Sequence, residues 1–226
     1  MSVTYRPRTQ AERDSVIAAV DAYIASADAD PELVALDTRF FSTARAAYSA
    51  ALETHQSLSA AAREASDAAD SADADFDRDL RLFVATVRDR AGHLATSSVT
   101  ELLGGILPSV LSKSRYREEV TKAQGLLMGL PKRPSLGYDA TRADALRNST
   151  DALDTAATAD ELATRDARKA GVALTSARTT FDQSYAKLVR MASGLLSDEV
   201  LRAILPRFVR SDATPAAPTA TTTTTT

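Results

Sequence analysis

The chain contains no cysteine, no tryptophan and only two histidines, His55 and His93, among 226 residues. Without thiols there is no disulfide framework, no thiolate metal site and no cysteine nucleophile. With two histidines and no Glu-x-x-His pair, the di-iron carboxylate pattern of helical bundles lacks its ligands. Long apolar runs are missing as well. No stretch approaches the roughly 18 consecutive apolar residues of a membrane span, and the start, MSVTYRPRTQAERD, carries no apolar leader, so a cytoplasmic location is expected. Nor is one sign of charge in large excess. Lys and Arg number 27 against 30 Asp and Glu, a formal net charge of -3, which exerts no pull toward nucleic acid or an anionic membrane.

Glycine and proline are also scarce, eight of each, and between Pro31 and Gly92 neither occurs. Helix breakers being absent and alanine abundant, this stretch predicts one long helix. Phe41, Tyr48, His55, Ala62, Ala69, Phe76 and Phe83 recur every seven residues, with Ala44, Ala51, Leu58, Ala65 and Ala72 three residues behind the first five. That is the seam of a coiled coil. At about 1.5 Å per residue an unbroken helix here would run roughly 90 Å. Two features argue for a bend, the Asp- and Ser-rich run from Glu64 to Asp79 and, in the second long stretch below, Gly171. Neither lies in a Gly/Pro turn cluster, so continuity is expected.

The other elements follow from caps and breakers. Thr9 with Glu12 forms a capping box for a helix through about Ala27. Asp30 caps the long helix with Pro31 at its first position, where the missing N-H costs nothing. Ser98 and Glu101 predict a second capping box for a helix to about Leu111, bent at Pro108. A helix from about Arg115 is expected to carry Val120, Ala123, Leu127 and Met128 on one side and to stop in the Gly129 to Gly137 segment. A second long helix runs from about Tyr138 to Ala192.

Sliding the chain by 105 residues lays this second stretch on the first. Phe76-Asp77 falls on Phe181-Asp182, and Phe41, Tyr48 and Phe83 fall on Leu146, Leu153 and Leu188. At an offset of 98 Ile106-Leu-Pro108 meets Ile204-Leu-Pro206, so the first copy holds seven extra residues between about Arg88 and Val99, read as a longer loop. The expected fold is all-α: an elongated antiparallel helical bundle or coiled coil built from two tandem repeats, each short helix, long helix, short helix. The divisions are a lead-in at 1–8, repeats at 9–112 and 113–210, and a disordered Thr/Pro/Ala tail at 211–226.

No motif identifies a reaction. His55 lies on the seam between Tyr48 and Ala62, with Asp160 as its repeat counterpart, and reads as a core or rim histidine; a cleft of His55, Asp160 and Arg63 is where an enzyme would have its site. Asp73-Ala-Asp75-Phe-Asp77 starts like a calcium loop but has Arg78 where glycine and Val84 where glutamate are required, so it reads as the solvated acidic face of a helix. Gly104-Gly105 lacks the strand and lysine of a phosphate loop and is expected to permit close helix packing. The basic clusters around Lys113, Arg115 and Arg117, at Lys132-Arg133, and at Arg202, Arg207 and Arg210 read as solvated helix ends. His93 is placed in a solvated loop.

The chemistry therefore points to a non-enzymatic helical interaction protein, a scaffold, adaptor or assembly subunit, whose partner is another protein or a second copy. An amphipathic lipid-surface protein is the alternative, with an enzyme near His55 behind it. No catalytic group, cofactor or metal is expected. The packing and interaction candidates are the seam residues Phe41, Tyr48, His55, Phe76, Phe83, Leu146, Leu153, Phe181 and Leu188.

Overall fold

A computed structural model describes residues 2–91, 93–112 and 114–210, and the expected disordered tail falls outside them. The described chain is all-α apart from one short ribbon. In order come β1 (Ser2–Thr4), α1 (Gln10–Ile24), α2 (Pro31–Phe40), α3 (Ser42–Ala91), α4 (His93–Leu102), α5 (Pro108–Leu111), α6 (Tyr116–Gly129), α7 (Ala140–Leu195), α8 (Asp198–Ile204) and β2 (Phe208–Arg210). Two short 3-10 turns, Leu130–Lys132 and Pro134–Leu136, join α6 to α7.

Local chemistry sets the helix ends. Thr9 accepts from the Glu12 amide while the Glu12 carboxylate accepts from the Thr9 amide at 3.2 Å, the reciprocal pair of a capping box. Asp30 accepts from the amides of Glu32 and Leu33, with Pro31 first in α2. The expected single helix from Pro31 is divided at Phe41, whose φ of -126° leaves the helical region. Hydrogen bonds still cross the break, from Phe41 N to Asp37 O at 2.8 Å and from Arg45 N to Phe41 O at 2.9 Å. The break accompanies burial of the Phe41 ring against Phe181 and Tyr185. From Ser42 the helix is continuous through the acidic run, and α7 is continuous through Gly171.

Five expectations between the long helices are corrected. Ser98 lies inside α4 rather than at its start, and helix replaces the longer loop on both sides of Gly92. Gly104 and Gly105 close α4 with φ of 70° and 86°, a left-handed turn that glycine adopts without a Cβ clash; close helix packing falls instead at Gly129, where a Cβ would lie 2.6 Å from Leu102 Cδ2. The buried stripe of α6 is Val120, Ala123, Leu126 and Leu127, whereas Met128 is 75% exposed. His93 is helical rather than in a loop. The lead-in is structured too: Ser2–Thr4 pairs antiparallel with Phe208–Arg210.

The residues group into two compact units. Unit 1 takes the described residues up to Leu52 and from Ala173 onward, and unit 2 is Glu53–Val172. This grouping cuts both long helices and does not follow a boundary near residue 112. The core of unit 1 brings Val16 and Val20 of α1 against Phe41, Tyr48, Phe181, Tyr185, Leu188 and Leu201. The core of unit 2 brings Phe76, Leu80 and Phe83 of α3 together with Leu103, Leu111, Leu126, Leu146 and Leu153.

Candidate functional site

In unit 2 the face of α3 carrying Asp70, Asp73 and Asp77, at i, i+3 and i+7, meets the face of α6 carrying Tyr116 and Glu119. Tyr116 donates its hydroxyl proton to Asp70 Oδ1. Glu119 is 1% exposed. Its Oε2, together with Asp73 Oδ1 and Asp77 Oδ1, is closed off from solvent. The expected solvated acidic face is thus half covered, because α6 packs over it.

Carboxylates brought together in a low dielectric cannot all stay ionised. Burial first, then hydrogen bonding with Asp73 and the charges of Asp73 and Asp77, pushes Glu119 up to about 8. Burial, reinforced by Asp73 and opposed by Arg81, raises Asp77 as well. The hydrogen bond to Asp70, followed by burial, pushes the Tyr116 hydroxyl up to about 12. At neutral pH Glu119 is therefore largely protonated. The sequence holds one signal for this: Glu119 falls on the same helical stripe as Tyr116, Val120 and Ala123, a position reserved for side chains that face a core.

Asp77 also borders a cleft of about 460 Å³. Its walls are the α3 stripe Asp77, Leu80, Arg81, Val84, Ala85 and Arg88, and Pro108, Ser109 and Ser112 around α5. Arg81 is fastened by its Nε, which donates to the Asp77 carbonyl at 2.9 Å.

His55 lies elsewhere in unit 2, half-buried, with its Nε2 3.5 Å from Ser59 Oγ. A shallow groove there is lined by Ser59, Ala62, Thr164, Ala167, Arg168 and Gly171. Arg63 and Asp160 do not line it. Asp160 is instead within 3.5 Å of the Thr164 hydroxyl.

The other seam candidates, Phe41, Tyr48, Phe76, Phe83, Leu146, Leu153, Phe181 and Leu188, are at most 1% exposed. In unit 1 the Phe181 ring lies 4.9 Å from Phe41 and 5.1 Å from Tyr48, centroid to centroid. The hydroxyls of Tyr48 and Tyr185 are buried without partners, and burial raises both phenols. Arg13 of α1, only 7% exposed, holds Asp182 of α7 through two hydrogen bonds. Several arginines that read as solvated helix ends are paired: Arg117 with Asp154 at 2.6 Å and Glu161 at 3.0 Å, and Arg133 with Glu101 at 2.7 Å.

Among the described residues no group of three or more His, Cys, Asp or Glu is placed to hold a metal ion, and no helix is long and apolar enough to cross a membrane. Compared with known proteins, the chain matches no family model, no curated protein and no solved structure.

Proposed function

We propose that this chain is a non-enzymatic helical interaction protein, a scaffold, adaptor or assembly subunit, whose two long helices pair antiparallel and offer their outward faces to a protein partner. The observation that carries this reading is the fate of the seam: its aromatic and leucine side chains are spent inside the chain. What remains outside on α3 and α7 is mostly polar surface with scattered large apolar side chains such as Leu162 and Val172, 49% and 73% exposed. Contacts within each unit support the antiparallel pairing. In unit 1 Phe41 meets Tyr185 and Tyr48 meets Phe181. In unit 2 a Cβ on Gly171 would lie 3.6 Å from the His55 ring, and Arg90 binds Asp139 at 2.8 Å.

The make-up of the units supports the duplication as well. Unit 1 joins α1, which opens the first copy, to α8, which closes the second. Unit 2 joins α6, which opens the second copy, to α4 and α5, which close the first. Leu103 and Leu201, equivalent at the offset of 98, are both 1% exposed or less, each in its own core. Val16 and Val120, equivalent at an offset of 104, are likewise buried. Neither copy contains a complete unit, so each depends on the other.

Flotation with vesicles of phosphatidylcholine and phosphatidylserine, run beside size-exclusion chromatography with in-line mass determination, tests the reading. The protein is expected to stay with the soluble fraction and to elute at a defined mass. Co-migration with the vesicles would overturn the reading in favour of a lipid-surface protein.

A further inference from the structure

We propose that the cleft between α3 and α5 is a binding site for a singly charged organic acid with an apolar body, a medium-chain carboxylate or its chemical equivalent. The volume, about 460 Å³, lies within the few hundred Å³ typical of small-ligand sites, which combine an apolar wall with a few placed polar groups. Here the apolar wall is Leu80, Val84, Ala85 and Pro108. The polar residues are Arg81 and Arg88 of α3 and Ser109 and Ser112 around α5.

The two arginines identify the charge of the ligand. They stand seven residues apart on α3, two helical turns, and so share one face at an axial separation of about 10 Å, within reach of each other through their long side chains. Some arginines of unit 2 are already committed to carboxylates, as Arg117 and Arg133 are. Among the described residues no ion pair is formed by Arg81 or Arg88, and the Arg81 Nε donates to the Asp77 carbonyl, which orients the guanidinium. Two cations over one apolar wall repel each other until an anion lies between them, and a planar guanidinium takes a carboxylate through two parallel hydrogen bonds.

Asp77 limits that anion to one charge. Its carboxyl borders the cleft, and Arg81 beside it favours the ionised form against burial and Asp73; ionised, it repels a doubly charged head such as a phosphate monoester more than a singly charged one. The apolar wall requires the rest of the molecule: a bare anion would leave Leu80, Val84 and Pro108 uncovered and gain nothing from them. The site does not depend on the chain being an interaction protein, and its test is separate from the flotation experiment.

Isothermal titration of the full chain with decanoate, held below the concentration at which it forms micelles, tests the site, with decanol and acetate as the two half-ligands. Saturable binding at one site per chain is expected, with decanol and acetate each weaker by about tenfold or more, because either the charge-assisted hydrogen bonds or the apolar contact is lost. Arg81→Gln and Arg88→Gln should each weaken decanoate by about tenfold, and Ala85→Trp, which fills the cleft and keeps both arginines, should abolish binding. All three side chains are exposed, and an unchanged thermal melt of each variant separates loss of the site from loss of the fold. The absence of saturable decanoate binding, equal binding of decanol, or full affinity in the two arginine variants would each overturn the proposal.

Discussion

Arg13 Nη2 and Nε clasp the two oxygens of Asp182 at 2.7 and 2.9 Å, and the same guanidinium donates through Nη1 to the carbonyls of Arg8 and Thr9. One side chain thus ties the first turn of α1 to the C-terminal part of α7 and donates to carbonyls at the helix entry. The hydrogen bonds to Asp182 raise the Arg13 pKa despite burial, so the guanidinium stays charged.

Removing either partner leaves a largely buried charge alone, which typically costs about 3 kcal/mol. Arg13→Met should cost more than Asp182→Asn, since it also removes the side-chain hydrogen bonds to the Arg8 and Thr9 carbonyls. The double variant Arg13→Met/Asp182→Leu should recover a large part of the loss, because apolar replacement of both partners removes the unpaired charge. Urea unfolding of the three variants checks the order, and additive losses in the double variant would rule out the coupling.

Glu119 makes stability fall as pH rises. Its folded pKa of about 8 lies above the ordinary value of 4.5, so the folded state binds the proton more tightly than the unfolded chain does. The stabilising contribution is complete below about pH 4.5, shrinks as the pH rises between 4.5 and 8, and is gone above the folded value. The size is on the order of 1.4 kcal/mol for each unit of pKa difference. Glu119→Gln keeps the shape and a donor but cannot ionise, and should flatten this slope. Midpoints of urea unfolding from pH 5 to 9 measure it, and an equal slope in both proteins would assign the pH dependence to other groups.

Two glycine replacements should move stability in opposite directions. Gly104 has φ of 70°, and an added Cβ would lie 3.0 Å from Lys122 Nζ, so Gly104→Ala should cost about 1 kcal/mol through backbone strain. Gly171 is inside α7, where a Cβ would meet the His55 ring at an ordinary 3.6 Å. Gly171→Ala should stabilise by about 0.5–1 kcal/mol by restricting the unfolded chain. Thermal melts of the two variants suffice.

Core and surface positions should separate sharply. Phe181 touches Phe41, Tyr48 and Tyr185, and Phe181→Ala should cost about 3–5 kcal/mol. Met128→Ser, at a side chain 75% exposed, should change stability by less than about 0.5 kcal/mol. A large loss at Met128 would restore the stripe expected from sequence.

Fragments 1–112 and 113–226 should each fail to fold alone and should associate into a helical complex when mixed. Circular dichroism of the separate and combined fragments distinguishes this from two independently folding halves, which would each show a cooperative melt.

The sequence by itself determined what depends on neighbours along the chain. The caps at Thr9 and Asp30, the two long helices and the apolar period of Phe41, Tyr48, Phe76 and Phe83 are local, since a side chain bonding an amide three residues on needs no other element. Tertiary structure alone decided the rest. Leu126 rather than Met128 turned inward because each residue steps about 100° around a helix, and docking of α6 sets which side faces the core. The pairing of Ser2–Thr4 with Phe208–Arg210 joins segments some two hundred residues apart and has no local signal. Glu119 is an ordinary surface residue type on paper; only α6 lying across Asp73 and Asp77 removes its water and makes it hold a proton.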